Sequence, residues 1–113
     1  MKMIIAVVQP ERFEKVKEAL FNAEVHKMTV SRVKGCGQQA GYDEHYRGQV
    51  KKVNLLEKIR FEIAVNDDFV EPTIRAIIKG AKSGVIGDGK IFVMPLEQCV
   101  RIRTDECGGA AIG

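Results

Sequence analysis

The segment Gly84-Val85-Ile86-Gly87-Asp88-Gly89-Lys90 is the most chemically suggestive part of the chain. Backbone amides in a glycine-rich turn can converge on an anion, and a lysine at its end adds a positive charge, which together make a phosphate cradle. Gly84 and the pair Gly89-Lys90 have the spacing of a Walker A loop. Ile91, however, stands where the Ser or Thr that holds magnesium is required, and a strand-like run follows instead of a helix. An ordinary glycine turn with a surface lysine explains the same residues without a ligand. Arg101 and Arg103 stand two apart. On a short strand over 99–103 they would project from one face and grip a phosphate chain together, unless they are plain surface charge. Since that strand follows closely on the GDGK turn in sequence, both features are expected near one end of a sheet.

Residues 35–41, Gly-Cys-Gly-Gln-Gln-Ala-Gly, offer free amides and amide oxygens suited to a small carboxylate or a solvated cation. The base of a flexible loop would use the same glycines. Lys58, a little further on, can pair with such a carboxylate. Candidates for catalysis are thin. His26 and His45 lie in different elements with no Ser, Cys or carboxylate at a spacing that makes a triad or a metal site. Cys36 has only Lys34 nearby to lower its pKa, and the acidic residues form no acid/base pair. Cys36, Cys99 and Cys107 are odd in number and lack CxxC spacing, so reduced thiols are expected rather than a disulfide framework or a zinc site.

These residues must be positioned by elements that the periodicity outlines. Residues 2–9 form an apolar, β-branched run ended by Pro10, a first strand. Pro10-Glu11 opens an amphipathic helix in which Phe13, Val16, Leu20 and Ala23 share one side. Residues 28–33 alternate at period two, predicting a second strand with one buried face that ends at Gly35. From 36 to about 53 the periodicity disappears. Loops beyond about 12 to 15 residues in a compact domain are usually functional, with a β-ribbon as the alternative here. Residues 58–65 alternate again as strand three. Asn66 or Asp67 can cap a second helix running to about Lys82, with Pro72 in its first turn and Ile74, Ile77, Ile78 and Ala81 as its buried stripe. A turn, strand four over 91–94 and the short strand over 99–103 complete the chain. The order β-α-β-β-α-β predicts a split βαβ, ferredoxin-like α+β fold: one antiparallel sheet with both helices on one face. The other face would carry an apolar patch from strands one, two and three that self-association would cover.

With 113 residues, 45% hydrophobic and 29% charged, the chain has the size and composition of one globular domain, not of a disordered or repetitive one. A net charge of +3 is too mild to demand nucleic acid. The longest apolar run, 3–8, is about a third of the ~20 residues needed to span a membrane. Without a cleavage site or lipid-anchor motif, a cytoplasmic protein is expected.

Taken together, KGCGQQAGYDEHYRG at 34–48, IGDGKIFV at 86–93 and VRIRTDE at 100–106 resemble three separated motifs of the PII signal-transduction proteins of the GlnB/GlnK type, over essentially the whole chain. They are similar to the family's T-loop (about 36–54), B-loop (about 82–90) and C-loop (about 101–113). The resemblance implies a homotrimer of ferredoxin-like subunits that is a regulator, not an enzyme. It implies ATP or ADP in each cleft between neighbours, with 2-oxoglutarate and Mg²⁺ beside ATP. Its T-loop would dock onto an ammonium transporter or another nitrogen-metabolism protein. Carried over by motif, Gly87, Asp88, Gly89 and Lys90 would hold phosphates from one subunit, with Arg101 and Arg103 arriving across the interface. Thr29, Glu62 and Ala64 fall at the adenine and ribose contacts, and Gly37 and Gln38 complete the nucleotide set. Gln39 would ligate Mg²⁺. Gly37, Gln39, Ala40, Gly41 and Lys58 would surround 2-oxoglutarate, and Tyr46, Arg47 and Gly48 would form the docking tip.

The sequence also departs from that family pattern. Lys51 replaces the tyrosine that is uridylylated in many bacterial members, and Gln49 replaces the serine phosphorylated in cyanobacterial ones, so neither modification is expected. Gln38 and Ala40 stand where Arg and Lys are usual, and Gln9 where Lys or Arg is common near 2-oxoglutarate; an altered effector response is expected. The alternatives are a paralogue sensing adenine nucleotides alone, a small phosphotransferase using Asp88 or His45, and an RNA-binding module. The last would need exposed aromatics, of which strand one has none and strand three only Phe61.

Overall fold

The structure, a computed structural model, describes residues 1–37 and 54–113 in full, and the backbone of Tyr42–Asp43 and Lys52–Val53. The expectations for Gln38, Gln39, Ala40, Gly41, Tyr46, Arg47, Gly48, Gln49 and Lys51 therefore lie outside the described residues. Strand β1 (Lys2–Val8) leads through a 3-10 turn at Pro10–Arg12 into helix α1 (Phe13–Asn22), then β2 (Thr29–Gly35). The short strands β3 (Tyr42–Asp43) and β4 (Lys52–Val53) pair antiparallel, so the stretch without periodicity carries a two-residue ladder, a trace of the ribbon alternative. Strand β5 (Leu56–Val65), a 3-10 turn at Asp67–Phe69, helix α2 (Val70–Ala81), strand β6 (Gly89–Pro95) and a four-residue helix α3 (Gly109–Ile112) follow.

The long strands form one sheet in the order β2-β5-β1-β6, every neighbour antiparallel. Strands β1 and β2, joined by α1, thus run parallel with β5 between them, the ferredoxin-like arrangement that the element order predicts. Alternation assigns the faces. Ile4, Ala6 and Val8 of β1 and Ile59, Phe61, Ile63 and Val65 of β5 are buried beneath Val16 and Leu20 of α1 and Ala76, Ile77 and Ala81 of α2. Phe61, fully buried, stacks on Phe13 with ring centroids 5.8 Å apart. At Gly80 the two helices touch backbone to backbone: a Cβ there would lie 2.5 Å from Val16 Cα.

Several local expectations are corrected. Strand β2 has no buried residue, and its Val30 is exposed, because this edge of the sheet extends past the cover of both helices. Ile78 is exposed as well; Thr73 and Gly80 take places in the stripe of α2, and the Thr73 hydroxyl donates to the Phe69 carbonyl at 2.7 Å. Neither Asn66 nor Asp67 caps the second helix. Asn66 instead donates its side-chain amide to the Gly109 carbonyl, holding the C-terminal segment. Pro72 does fall in the first turn of α2, where its missing N–H costs nothing. The short strand over 99–103 is absent: residues 101–104 form a turn, closed by a single bridge between Val100 and Cys107.

On the helix-free face lie Met3, Ile5 and Val7 of β1, opposite Met94, Phe92 and Lys90 of β6 and Ala64, Glu62 and Arg60 of β5. The apolar patch is centred on β1 and β6. Strands β2 and β5 add Val33, Leu56 and Ala64 among the polar Thr29, Ser31, Lys58, Arg60 and Glu62, so strands two and three share in it less than expected.

Candidate functional site

The chemistry-bearing residues fall at one end of the sheet, along its helix-free face, and in a hairpin at the other end. At the first end the 82–90 loop, the start of β6 and the end of β2 enclose an open cleft of about 380 Å³. Gly37, Lys58, Gly87, Gly89 and Lys90 line it, joined by Cys36 and by apolar Ile86 and Phe92. Two lysines and glycine backbone meeting in one concavity form a donor set that fits a polyanion. Gly89 is the tightest element of that wall: its φ is +115°, and a Cβ would lie 1.9 Å from the Val7 carbonyl oxygen. Lys58 Nζ donates to Gln9 Oε1 at 2.9 Å. A neutral acceptor at position 9 therefore orients the lysine, where a Lys or Arg would repel it.

Asp88 does not point into this cleft as a free anion. Its Oδ2 accepts the Ser83 and Gly84 backbone N–H groups, each at 2.8 Å, and its Oδ1 accepts the Ser83 hydroxyl. These bonds, first that from the Ser83 side chain, hold the Asp88 carboxyl below its ordinary pKa, with Arg12 adding a little. Sequence reading missed Ser83; the signal was a serine and an aspartate, both turn formers, bracketing the glycines.

Thr29 pairs with Glu62 across β2 and β5, level with Ile5 in the middle of the sheet, and Ala64 continues that face toward the second end. Arg60 Nε approaches Glu62 Oε1 at 3.2 Å. Strand β6 ends at that second end, so residues 99–108 form a hairpin on this side. Arg101 N–H donates to the Glu106 carbonyl and Gly108 N–H to the Cys99 carbonyl. The Arg101 guanidinium binds Glu106 Oε1 at 2.6 Å and the Ala110 carbonyl at 3.0 Å. Arg103 is exposed near the tip, next to Ile102, which is 96% exposed. The expectation that both arginines share a strand face near the GDGK turn is thus overturned. Six residue steps of β6 separate the two features, roughly 20 Å at strand rise.

Glu106 is held below its ordinary pKa, first by the Thr104 hydroxyl and then by Arg101. A carboxylate depressed in the folded state adds stability above its unfolded pKa and loses it as pH falls through the folded value. Protection of the hairpin amides, measured against the intrinsic exchange rate at each pH, should accordingly fall as the solution is acidified below the ordinary carboxylate range. Glu106→Gln should show the lower protection already at neutral pH; identical protection profiles for the two proteins would mean that this ion pair does not hold the hairpin.

Among the described residues no group of three or more His, Cys, Asp or Glu can hold a metal ion, and no helix is long and apolar enough to cross a membrane. Phe61, the aromatic that an RNA-stacking surface would have used, is in the core. What remains is a ferredoxin-like α+β domain whose chemistry-bearing groups sit in the 82–90 loop, on the helix-free strand faces beside it and in the 99–108 hairpin.

Comparison with known proteins narrows that class. The family profile described as nitrogen regulatory protein P-II matches residues 1–106. The chain is 56% identical to nitrogen regulatory protein GlnK1 of Methanosarcina mazei, over 99% of this chain and 97% of that one. It is 47% identical to nitrogen regulatory protein P-II 2 of Methanothermobacter thermautotrophicus, again over 99% and 97%. Against nitrogen regulatory protein P-II of Cereibacter sphaeroides it is 45% identical over 99% of this chain and all of the relative. The chain belongs to the nitrogen regulatory P-II family, whose members are named as regulators; it is not a phosphotransferase.

Proposed function

We propose that this protein is a nitrogen-status transducer that binds ATP or ADP in clefts between copies of itself, assembled as a homotrimer. The observation that carries this reading is the separation of the two groups of residues. Gly87, Gly89 and Lys90 stand about 20 Å along β6 from the arginine hairpin. One nucleotide gripped by both groups needs two chains. The half-exposed Phe92 and Met94, beside Met3, Ile5 and Val7, give those chains an apolar face to share, and Ile102 gives the hairpin an apolar anchor for its neighbour. In this arrangement the phosphates meet Lys90 and the loop amides of one copy, while Arg103 arrives from the next.

The cleft bounded by Gly37 and Lys58 is where 2-oxoglutarate would lie, with Mg²⁺ held through Gln39 and with Ala40 and Gly41 beside it, while Gln38 belongs to the nucleotide set. The segment carrying Tyr46, Arg47 and Gly48 would dock onto an ammonium transporter or another nitrogen-metabolism protein. A sensor of adenine nucleotides alone is the second reading. The departure from Lys or Arg at Gln9 is the reason to keep it in view.

Calorimetry on the purified protein, with its native mass measured alongside, tests both. ATP and ADP should each bind, and Lys90→Ala or Arg103→Ala should weaken binding by roughly 1.5 to 3 kcal/mol, the scale of a charge-assisted hydrogen bond. Binding of 2-oxoglutarate in the presence of MgATP favours the first reading, and its absence the second. A monomer indifferent to millimolar ATP and ADP would overturn both.

A further inference from the structure

We infer that Asp88 is a positioning residue that shapes the 82–90 loop for an anion, and that its carboxylate does not touch the ligand. The inference rests on the nucleotide-binding reading for its purpose, but on the loop's own geometry for its content. A bare carboxylate beside bound phosphates would repel them, since like charges in a partly desolvated cleft disfavour each other. Here the charge is turned to the foot of the loop, where it accepts from the Ser83 N–H, the Gly84 N–H and the Ser83 hydroxyl. The Ser83 oxygen in turn accepts the Val85 N–H at 3.3 Å. One side chain thus ties the start of the loop to its end, across four intervening residues.

The consequence is geometric. With residues 83–85 tied back to Asp88, the loop closes over a fixed path, and Gly87, Gly89 and Lys90 are delivered together to the wall of the cleft. The carboxylate also neutralises two amides that would otherwise compete for an anion at the wrong end of the loop. Its specific partner is Ser83; a threonine, which keeps the hydroxyl, would serve equally.

The test separates this role from contact with the ligand and from simple charge. Asp88→Asn removes a negative charge from the region of the phosphates. If Asp88 acted only through its field, that variant would bind ATP more tightly. As a strut, its loss should instead raise the ATP dissociation constant about tenfold, the worth of a charge-assisted hydrogen bond. Hydrogen exchange at the Ser83 and Gly84 amides, followed by NMR without nucleotide, should quicken in the same variant. Ser83→Ala, which leaves every charge in place, should move both readouts the same way by about threefold, and Ser83→Thr should restore them. Tighter or unchanged ATP binding in Asp88→Asn overturns the inference, as does unchanged amide exchange in both Asp88→Asn and Ser83→Ala. If the parent protein binds no nucleotide, the binding reading fails by itself. Faster exchange in Asp88→Asn, reproduced by Ser83→Ala and reversed by Ser83→Thr, would still establish the strut.

Discussion

Gly89→Ala should destabilise the protein by on the order of 3 kcal/mol and abolish nucleotide binding. Two costs add. The residue has φ +115°, a region that side chains with a Cβ rarely occupy. The added carbon would also lie 1.9 Å from the Val7 carbonyl oxygen, a backbone atom of the neighbouring strand that has no rotamer by which to retreat. Relief requires β6 to peel from β1 at the Val8↔Gly89 pair, which moves Lys90 and the loop away from the cleft. Gly35→Ala is the control: nothing lies within 4 Å of the position a Cβ would take there, and its φ is ordinary. Denaturant titration of the two variants checks this. A Gly89→Ala protein within 0.5 kcal/mol of the parent would mean that β1 and β6 do not approach as described.

Gly80→Ala is expected to lower stability by about 2 to 4 kcal/mol, against the sign that helix propensity alone gives. Exchanging an interior helical glycine for alanine ordinarily gains roughly 1 kcal/mol. At this position the new carbon would meet Val16 Cα at 2.5 Å, Val16 N at 2.7 Å and the Lys15 carbonyl carbon at 2.8 Å. All three belong to the backbone of α1, so the helices must move apart as units and loosen Leu20, Val16 and Ile77 behind them. Melting at matched protein concentration should show a fall of about 8 °C or more. A rise would mean that the propensity gain wins and that the helices have room to separate.

The order of strands and helices was legible in the sequence because each is written in local periodicity. An apolar β-branched run marks β1, alternation marks β2 and β5, and the 3.6-residue repeat marks α1 and α2. What alternation cannot say is whether a face has a partner. Strand β2 has the pattern of a half-buried strand, yet Val30 is exposed, because coverage depends on how far two helices reach across a sheet. Ile78 was misplaced for a related reason: Gly80 and Ala76 bring α2 so close to its neighbours that the stripe is narrower and composed of smaller residues than hydrophobicity suggests. The close contacts of Gly80 and Gly89 are set by the backbones of distant segments and leave no local trace.

The site was legible by type and misread in place. The 82–90 loop was recognisable from its glycines and lysine, but the direction of the Asp88 carboxylate depends on Ser83, which no phosphate-loop pattern requires. Arg101 and Arg103 were recognised as a pair, yet assigned to a strand. The polar run Arg-Thr-Asp-Glu over 103–106 in fact closes a turn through Thr104 and Glu106. The sheet end was wrong for a simple reason: a strand carries the chain from one edge of the molecule to the other, so neighbours in sequence across β6 are strangers in space.

That separation along β6 has a corollary for heredity as well as for chemistry. In the proposed ring each polypeptide lends its lysine loop to one pocket and its arginine hairpin to a different one. A lesion in either tract therefore damages a pocket jointly owned with a sound chain, and a defective copy mixed among intact ones spoils two pockets only if both tracts are hit.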